Sequence, residues 1–153
     1  MRLRLVAVGR PRHAGIAAAI ADYEERAAHY WPLDVREVKE EPGRSRSPVE
    51  VKDREWARLA GAATGARLVA CDADGRTFTS EAFAAWLDEA RTAASDVAFV
   101  IGGAHGLPAA AAARSDMRLS LAPWTLTHEL ARLVLAEQLY RAGTILRGEP
   151  YHK

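Results

Sequence analysis

The chain has 153 residues, 49% of them hydrophobic and 27% charged, with a formal net charge of +1. That length suits one domain, and that much apolar side chain excludes a wholly disordered polymer. The lone cysteine, Cys71, excludes an internal disulfide framework and a Cys-x-x-Cys zinc site, so no metal is expected, while the charge balance argues neither for nor against nucleic acid.

The opening "MRLRLVAVGR" alternates charge and leucine and lacks the apolar stretch of a signal peptide. No apolar run approaches the ~18 residues of a membrane span, so no membrane contact and a cytoplasmic location are expected. Leu3 to Val8 reads as a strand ended by Gly9 and Pro11, and Ala14 to Tyr30 as a helix with Ile16, Ile20 and Tyr23 at helical spacing. Leu33 to Val38 alternates like a half-exposed strand, and Glu40 to Pro48, with its Pro, Gly, Ser and arginines, reads as a loop. Val49 to Ala63 is a charged helix turning Val51, Trp56 and Leu59 inward. Arg67 to Cys71 is a short buried strand followed by the turn "DADG". Ser80 is placed to cap a helix running to about Ala93. Val97 to Ile101 has no polar alternation, as expected at the centre of a parallel sheet. After a glycine-rich turn come a short alanine-rich helix, the strand "MRLSL", a last helix over His128 to Ala142, and the tail "GTILRGEPYHK". Strands alternate with helices throughout, which predicts a single α/β domain, doubly wound, with a mostly parallel sheet.

Ligands of such sheets bind at the carboxyl ends of the strands, which singles out Cys71 to Gly75, Gly102 to Gly106 and Leu121 to Thr127. In "FVIGGAHGLP" the dinucleotide pattern G-x-G-x-x-G fails, because Ile101 stands where its first glycine belongs, and no P-loop occurs. The glycines then serve either a tight turn or a close approach of backbone to a ligand. The last helix is apolar on most of its circumference, through Leu130, Leu133, Val134, Leu135, Leu139 and Tyr140. A surface helix shows one stripe, so packing against a second copy is inferred; a chain of this length leaves little to cover such a helix by itself. Glu137 and Arg141 are spaced for an i,i+4 pair.

Three segments together are specific: "IGGAHG" (101–106), "LSLAPWTLTHELARLVLAEQLYRA" (119–142) and the terminal "PYHK" (150–153). With the opening strand, they resemble the ribosomal RNA large subunit methyltransferase H family, end to end along the chain. The resemblance implies a SPOUT fold, a Rossmann-like sheet whose C-terminal part is threaded into a deep trefoil knot. It implies a homodimer, S-adenosyl-L-methionine as cofactor, and methylation of N3 of a pseudouridine in 23S rRNA on the assembled 70S ribosome. It places the cofactor at Cys71, at Gly102, Gly103 and Gly106, and along Leu121, Ala122, Pro123, Trp124, Thr125 and Leu126. The family usually has proline before the histidine of the last helix; here Thr127 stands there and can cap the helix.

The N3 of pseudouridine is an imide nitrogen and a poor nucleophile while protonated, so a group must take its proton or stabilise the anion. Candidates are His128, Arg132, Tyr151 and His152, with the tail pair Tyr151 and His152 preferred because a chain end can close over a base. His128 also reads as a structural histidine at a helix start, Arg141 as the partner of Glu137, and His105 as a solvent-facing loop residue. Arg10 and Arg12 beside His13, and Arg44 and Arg46, read either as phosphate contacts or as solvated charge. Two competing functions stay open: a SPOUT methyltransferase for another rRNA or tRNA position, and a non-catalytic ribosome-binding dimer.

Overall fold

The structure, a computed structural model, describes residues 1–44 and 46–152, with His152 described by its backbone only. Strands β1 (Leu3–Val8), β2 (Leu33–Val38), β3 (Arg67–Arg76), β4 (Val97–Ile101) and β5 (Met117–Leu119) form one sheet in the order β2-β1-β4-β3-β5. All its pairings are parallel. Helices α1 (Ala14–Ala28), α2 (Pro48–Ala62), α3 (Ser80–Thr92), α4 (Ala109–Arg114) and α5 (His128–Leu146) complete the fold, with a 3-10 turn at Pro150–His152.

Parallel strands need crossovers, and the crossovers cover both faces of the sheet. Every residue of β4 is therefore buried. Leu3, Leu5, Val97, Phe99 and Ile101 pack under α1, α3 and α5, against Ala27, Phe83, Trp86, Leu135 and Leu139. The alternate residues Val6, Val8, Ala98 and Val100 pack with Trp56 and Leu59 of α2 and Ala111 of α4. Edge strand β2 stays half-exposed, as its alternation predicts.

Several boundaries differ from expectation. Helix α1 stops at Ala28, because Pro32 bars continuation and Trp31 turns inward, its Nε1 donating to the Leu139 carbonyl at 2.8 Å. Thr79, not Ser80, caps α3, accepting from the Ala82 N–H at 3.2 Å, while Ser80 Oγ donates to Gln138 Oε1 at 2.8 Å. Strand β3 runs through the "DADG" turn to Arg76: both Cys71 and Arg76 register with Leu119, so residues 72–75 form a bulge in β3 opposite the end of β5. Helix α5 continues past Gly143 to Leu146. That glycine is a packing contact, since a Cβ there would lie 2.3 Å from Cγ of Tyr30.

Helix α5 is also covered within its own chain, lying between α1 and α3 and over β1 and β4. Its apolar circumference is thus largely explained without a second copy. What stays outside the core is an outer stripe, with Leu133 and Val134 half-buried and Leu130 exposed.

Candidate functional site

A cavity of about 600 Å³ opens at the carboxyl end of β4, beside the bulged middle of β3, and is closed by the turn leading into α5. Three stretches far apart in sequence line it: Cys71–Ala73, Ile101–Leu107, and most of Leu121–Ala131. Of the residues the resemblance assigns to the cofactor, all but Pro123 are among the lining; Pro123 is exposed beside it. His105, Thr127 and His128 also face it, His105 exposed as expected and His128 half-buried at the first position of α5.

The glycine turn is built by its own contacts. A Cβ on Gly102 would lie 2.6 Å from the carbonyl carbon of Gly106, and one on Gly103 would lie 2.6 Å from Glu55 Oε2. Gly106 adopts a φ of 75°, and its N–H donates to the Gly103 carbonyl at 3.0 Å. The tight-turn reading therefore accounts for Gly102 and Gly106, while Gly103 is required by the close packing of Glu55, and the turn they make is the wall of the cavity. The turn before α5 is pinned in a similar way. Ser120 donates its backbone N–H to the Arg76 carbonyl at 2.9 Å and its Oγ to the Ala122 carbonyl at 2.8 Å. Thr127 caps α5, accepting from the Leu130 N–H at 3.4 Å. Trp124 is 79% exposed, so its ring stands at the mouth of the cavity and not in its interior.

Among the described residues the lining contains no lysine or arginine. Its carboxylate, Asp72, receives Arg118 Nη2 at 3.0 Å and Nε at 3.2 Å. Sequence reasoning marked this turn but not Asp72 itself. Burial, followed by the charge of Asp72, pushes the Cys71 thiol up to about 12, so it remains a neutral wall.

The catalytic candidates are not brought together in one chain. Arg132 is buried, with Nε and Nη2 on the two oxygens of Glu24 at 2.7 and 3.2 Å and Nη1 on Glu37 Oε1 at 2.8 Å. It is not among the lining residues. Glu37 also pairs with Arg10 at 3.2 Å. Tyr151 docks on α1 and α5. Its hydroxyl donates to Glu137 Oε1 at 3.1 Å and meets Tyr23 at 3.2 Å, and its ring lies 4.5 Å from that of Tyr140. Burial, then the Tyr23 hydroxyl and the Glu137 charge, hold its phenol well above the ordinary range. Glu137 and Arg141 form the expected pair at 2.7 Å. They lie roughly 9 and 15 Å along α5 from Ala131 at the cavity, at ~1.5 Å per residue. The His152 side chain lies outside the described residues.

Of the basic candidates, Arg10 and Arg12 remain largely exposed although each touches a carboxylate, Glu37 and Glu40 respectively. His13 caps α1, accepting from the Ile16 N–H at 3.3 Å. Arg46 is held on the buried carboxylate of Glu41 at 2.8 Å, and Arg44 is exposed. Among the described residues there is no cluster of three or more His, Cys, Asp or Glu able to hold a metal, and no helix is long and apolar enough to cross a membrane.

Comparison with known proteins completes the picture. A family model described as "Predicted SPOUT methyltransferase" matches residues 1–152. The chain is 65% identical over 154 aligned positions to a Gemmatimonas aurantiaca protein named Ribosomal RNA large subunit methyltransferase H, with 100% of both chains covered. Proteins of the same name from Anaeromyxobacter sp. (strain Fw109-5) and Listeria monocytogenes serotype 4b are 46% and 42% identical, again over the full length of both chains. Among solved structures, a probable methyltransferase from Bordetella pertussis aligns over 92% of this chain and 95% of its own, with a TM-score of 0.56 at 18% identity, a likeness of fold. By its fold and by these full-length matches, the chain belongs to the SPOUT methyltransferase family.

Proposed function

We propose that this enzyme uses S-adenosyl-L-methionine to methylate N3 of a pseudouridine in 23S rRNA on the assembled 70S ribosome, as a cytoplasmic homodimer with a deep C-terminal trefoil knot. The observation that carries the reading is the 65% identity, over 100% of both chains, to a protein named Ribosomal RNA large subunit methyltransferase H.

The cavity fits the donor. A volume of about 600 Å³ lies in the range of small-molecule sites. A lining without lysine or arginine among the described residues suits a cationic sulfonium and disfavours a phosphate. Gly102, Gly103 and Gly106 and the stretch Leu121–Leu126 would hold it, through peptide groups and the apolar walls of Leu121 and Leu126. When bound, the donor supplies an electrophilic methyl carbon to an in-line displacement. The chain's task is then orientation, which contributes ~7–11 kcal/mol to such reactions, and management of the N3 proton.

His128, facing the cavity at the start of α5, is the candidate within the same chain to take that proton at its imidazole. Tyr151 stays protonated, so its role is to stack on or donate to the base, and His152 beside it is the second candidate acceptor. The tail lies too far along α5 to serve the cavity of its own chain, which is the strongest reason to assign it to the site of a second copy. Leu130 and Trp124, the latter 79% exposed, offer apolar area beside that cavity for the partner. Arg132, locked between Glu24 and Glu37, acts as the strut joining α5 to α1 and β2. The knot rests on the family resemblance; within the sheet, a Cβ on Gly75 would lie 2.7 Å from the backbone of Arg118 and Leu119, so the β3 bulge is pressed against β5. Arg10, Arg12 and Arg44 are the phosphate contacts of choice. With so little excess charge, naked RNA should bind weakly, and a preassembled ribosome supplies the missing recognition.

The test is methyl transfer to particles from a strain lacking the enzyme, with the product nucleoside read by mass spectrometry. N3-methylpseudouridine formed on 70S ribosomes and much less on isolated subunits is expected. A methyl group at another nucleotide, or on tRNA, would overturn the substrate assignment. No transfer despite donor binding would point to a non-catalytic ribosome-binding dimer.

A further inference from the structure

Glu55, on α2, is 3% exposed, and nothing in the chemistry above uses it. Its Oε1 accepts the backbone N–H of Glu41 at 3.0 Å. Its Oε2 is buried without a hydrogen-bond partner and is pressed against the glycine turn, 2.6 Å from where a Cβ of Gly103 would stand. Glu41 is itself buried, and its carboxylate gathers Arg46 at 2.8 Å, Arg54 at 3.9 Å, and Arg58, which also donates to the Lys39 carbonyl at 2.9 Å. One buried carboxylate thus touches the cavity wall with one oxygen and organises the basic loop before α2 with the other. An unpartnered buried acceptor is costly, and a leucine would fill the same space without that cost.

We propose that Glu55 is a positioning residue that ties the glycine turn to the loop carrying Arg44 and Arg46, so that the donor cavity and the RNA-facing loop are held in one relative placement. This rests on the reading of the cavity as the donor site. Glu55 acts by shape and by its Oε1 acceptor, both of which glutamine retains.

The test combines calorimetry with S-adenosylmethionine and amide hydrogen exchange without ligand, on wild type, Glu55→Ala, Glu55→Gln and Gly103→Ala. Glu55→Ala is expected to weaken donor binding about tenfold or more, the scale of a slightly misplaced site wall. Exchange should accelerate both at 102–106 and at 39–44, while β1 and β4 keep their protection. Glu55→Gln should bind within about threefold of wild type, the spread of a substitution that leaves structure intact. Gly103→Ala, which pushes on the carboxylate from the other side, should accelerate exchange at Glu41; this arm decides the question should Glu55→Ala not fold. A melting temperature that falls with donor affinity unchanged, or looser exchange in one segment only, overturns the proposal. If wild type gives no heat with the donor, the donor-site reading fails, and the exchange data alone decide whether Glu55 joins the two segments.

Discussion

Replacing Gly102 by alanine tests the turn that walls the cavity. The new Cβ would sit 2.6 Å from the Gly106 carbonyl carbon, 2.7 Å from its oxygen and 3.0 Å from the Leu107 nitrogen. All three are backbone atoms, so no side chain can swing aside, and an ordinary contact of 3.4 Å requires the turn to open by roughly 0.8 Å. Overpacking of this kind costs about 1–3 kcal/mol. Taken up by the turn, that lowers donor affinity about 5- to 140-fold, at ~1.4 kcal/mol per tenfold. Calorimetry with S-adenosylmethionine, with circular dichroism to confirm the fold, measures it directly. Gly61→Ala is the control: that glycine lies in α2 with nothing within 4 Å of a Cβ, so donor affinity should not move. Wild-type affinity in a folded Gly102→Ala protein would refute the assignment of this turn to the donor.

Gly143→Ala should act on stability and not on binding. Its Cβ would press on the Tyr30 ring at 2.3–2.6 Å, and that ring is anchored by its hydroxyl on Glu149 and by Arg147 over its face at 4.5 Å. A cost of about 1–3 kcal/mol corresponds to a melting temperature lower by about 2–12 °C in a chain of this size; an unchanged melting curve would contradict it. Cys71, half-buried in the cavity wall with its thiol raised to about 12, should react with a disulfide reagent at pH 8 far more slowly than a free cysteine, and more slowly still with donor bound; a burst of labelling would contradict the raised pKa. Arg58, with Arg46 and Arg54, holds the Glu41 carboxyl below its ordinary range. The stabilisation it gives is present above the unfolded value of about 4.3 and is lost as pH falls through the lowered folded value. Glu41→Gln should therefore be less stable than wild type at pH 7 in urea melts, with the gap closing in acid; a pH-independent gap would contradict the ion-pair origin.

Much of the fold is legible because the local signals agree. The unbroken, β-branched and aromatic run Val97–Ile101 reads as a strand covered on both faces, and the alternation over Leu33–Val38 marks an edge. Where two distant segments meet, the sequence carries no such signal. Gly143 reads as a helix stop because its need is set by Tyr30, more than a hundred positions away. Arg132 reads as a free cation because its partners Glu24 and Glu37 lie 108 and 95 positions upstream. Glu55 reads as one charge on a solvated helix, although its contacts bury it between two loops. The site is assembled from the three turns that the strand-end rule for parallel sheets marks, although no periodicity shows which of their residues face the cavity. The individual donor residues follow from the family resemblance, and Asp72, inside a turn the sheet rule marks, carries no signal of its own because its partner Arg118 lies 46 positions on.

The most direct measurement is a crystal structure of the protein with S-adenosylmethionine bound. Density for the donor against Gly102–Gly106 and Leu121–Leu126, in the cavity closed by His128, is the expected result. A donor seated elsewhere, or those turns bare at saturating concentration, would contradict the proposal that backbone at these strand ends holds the methyl group to be transferred.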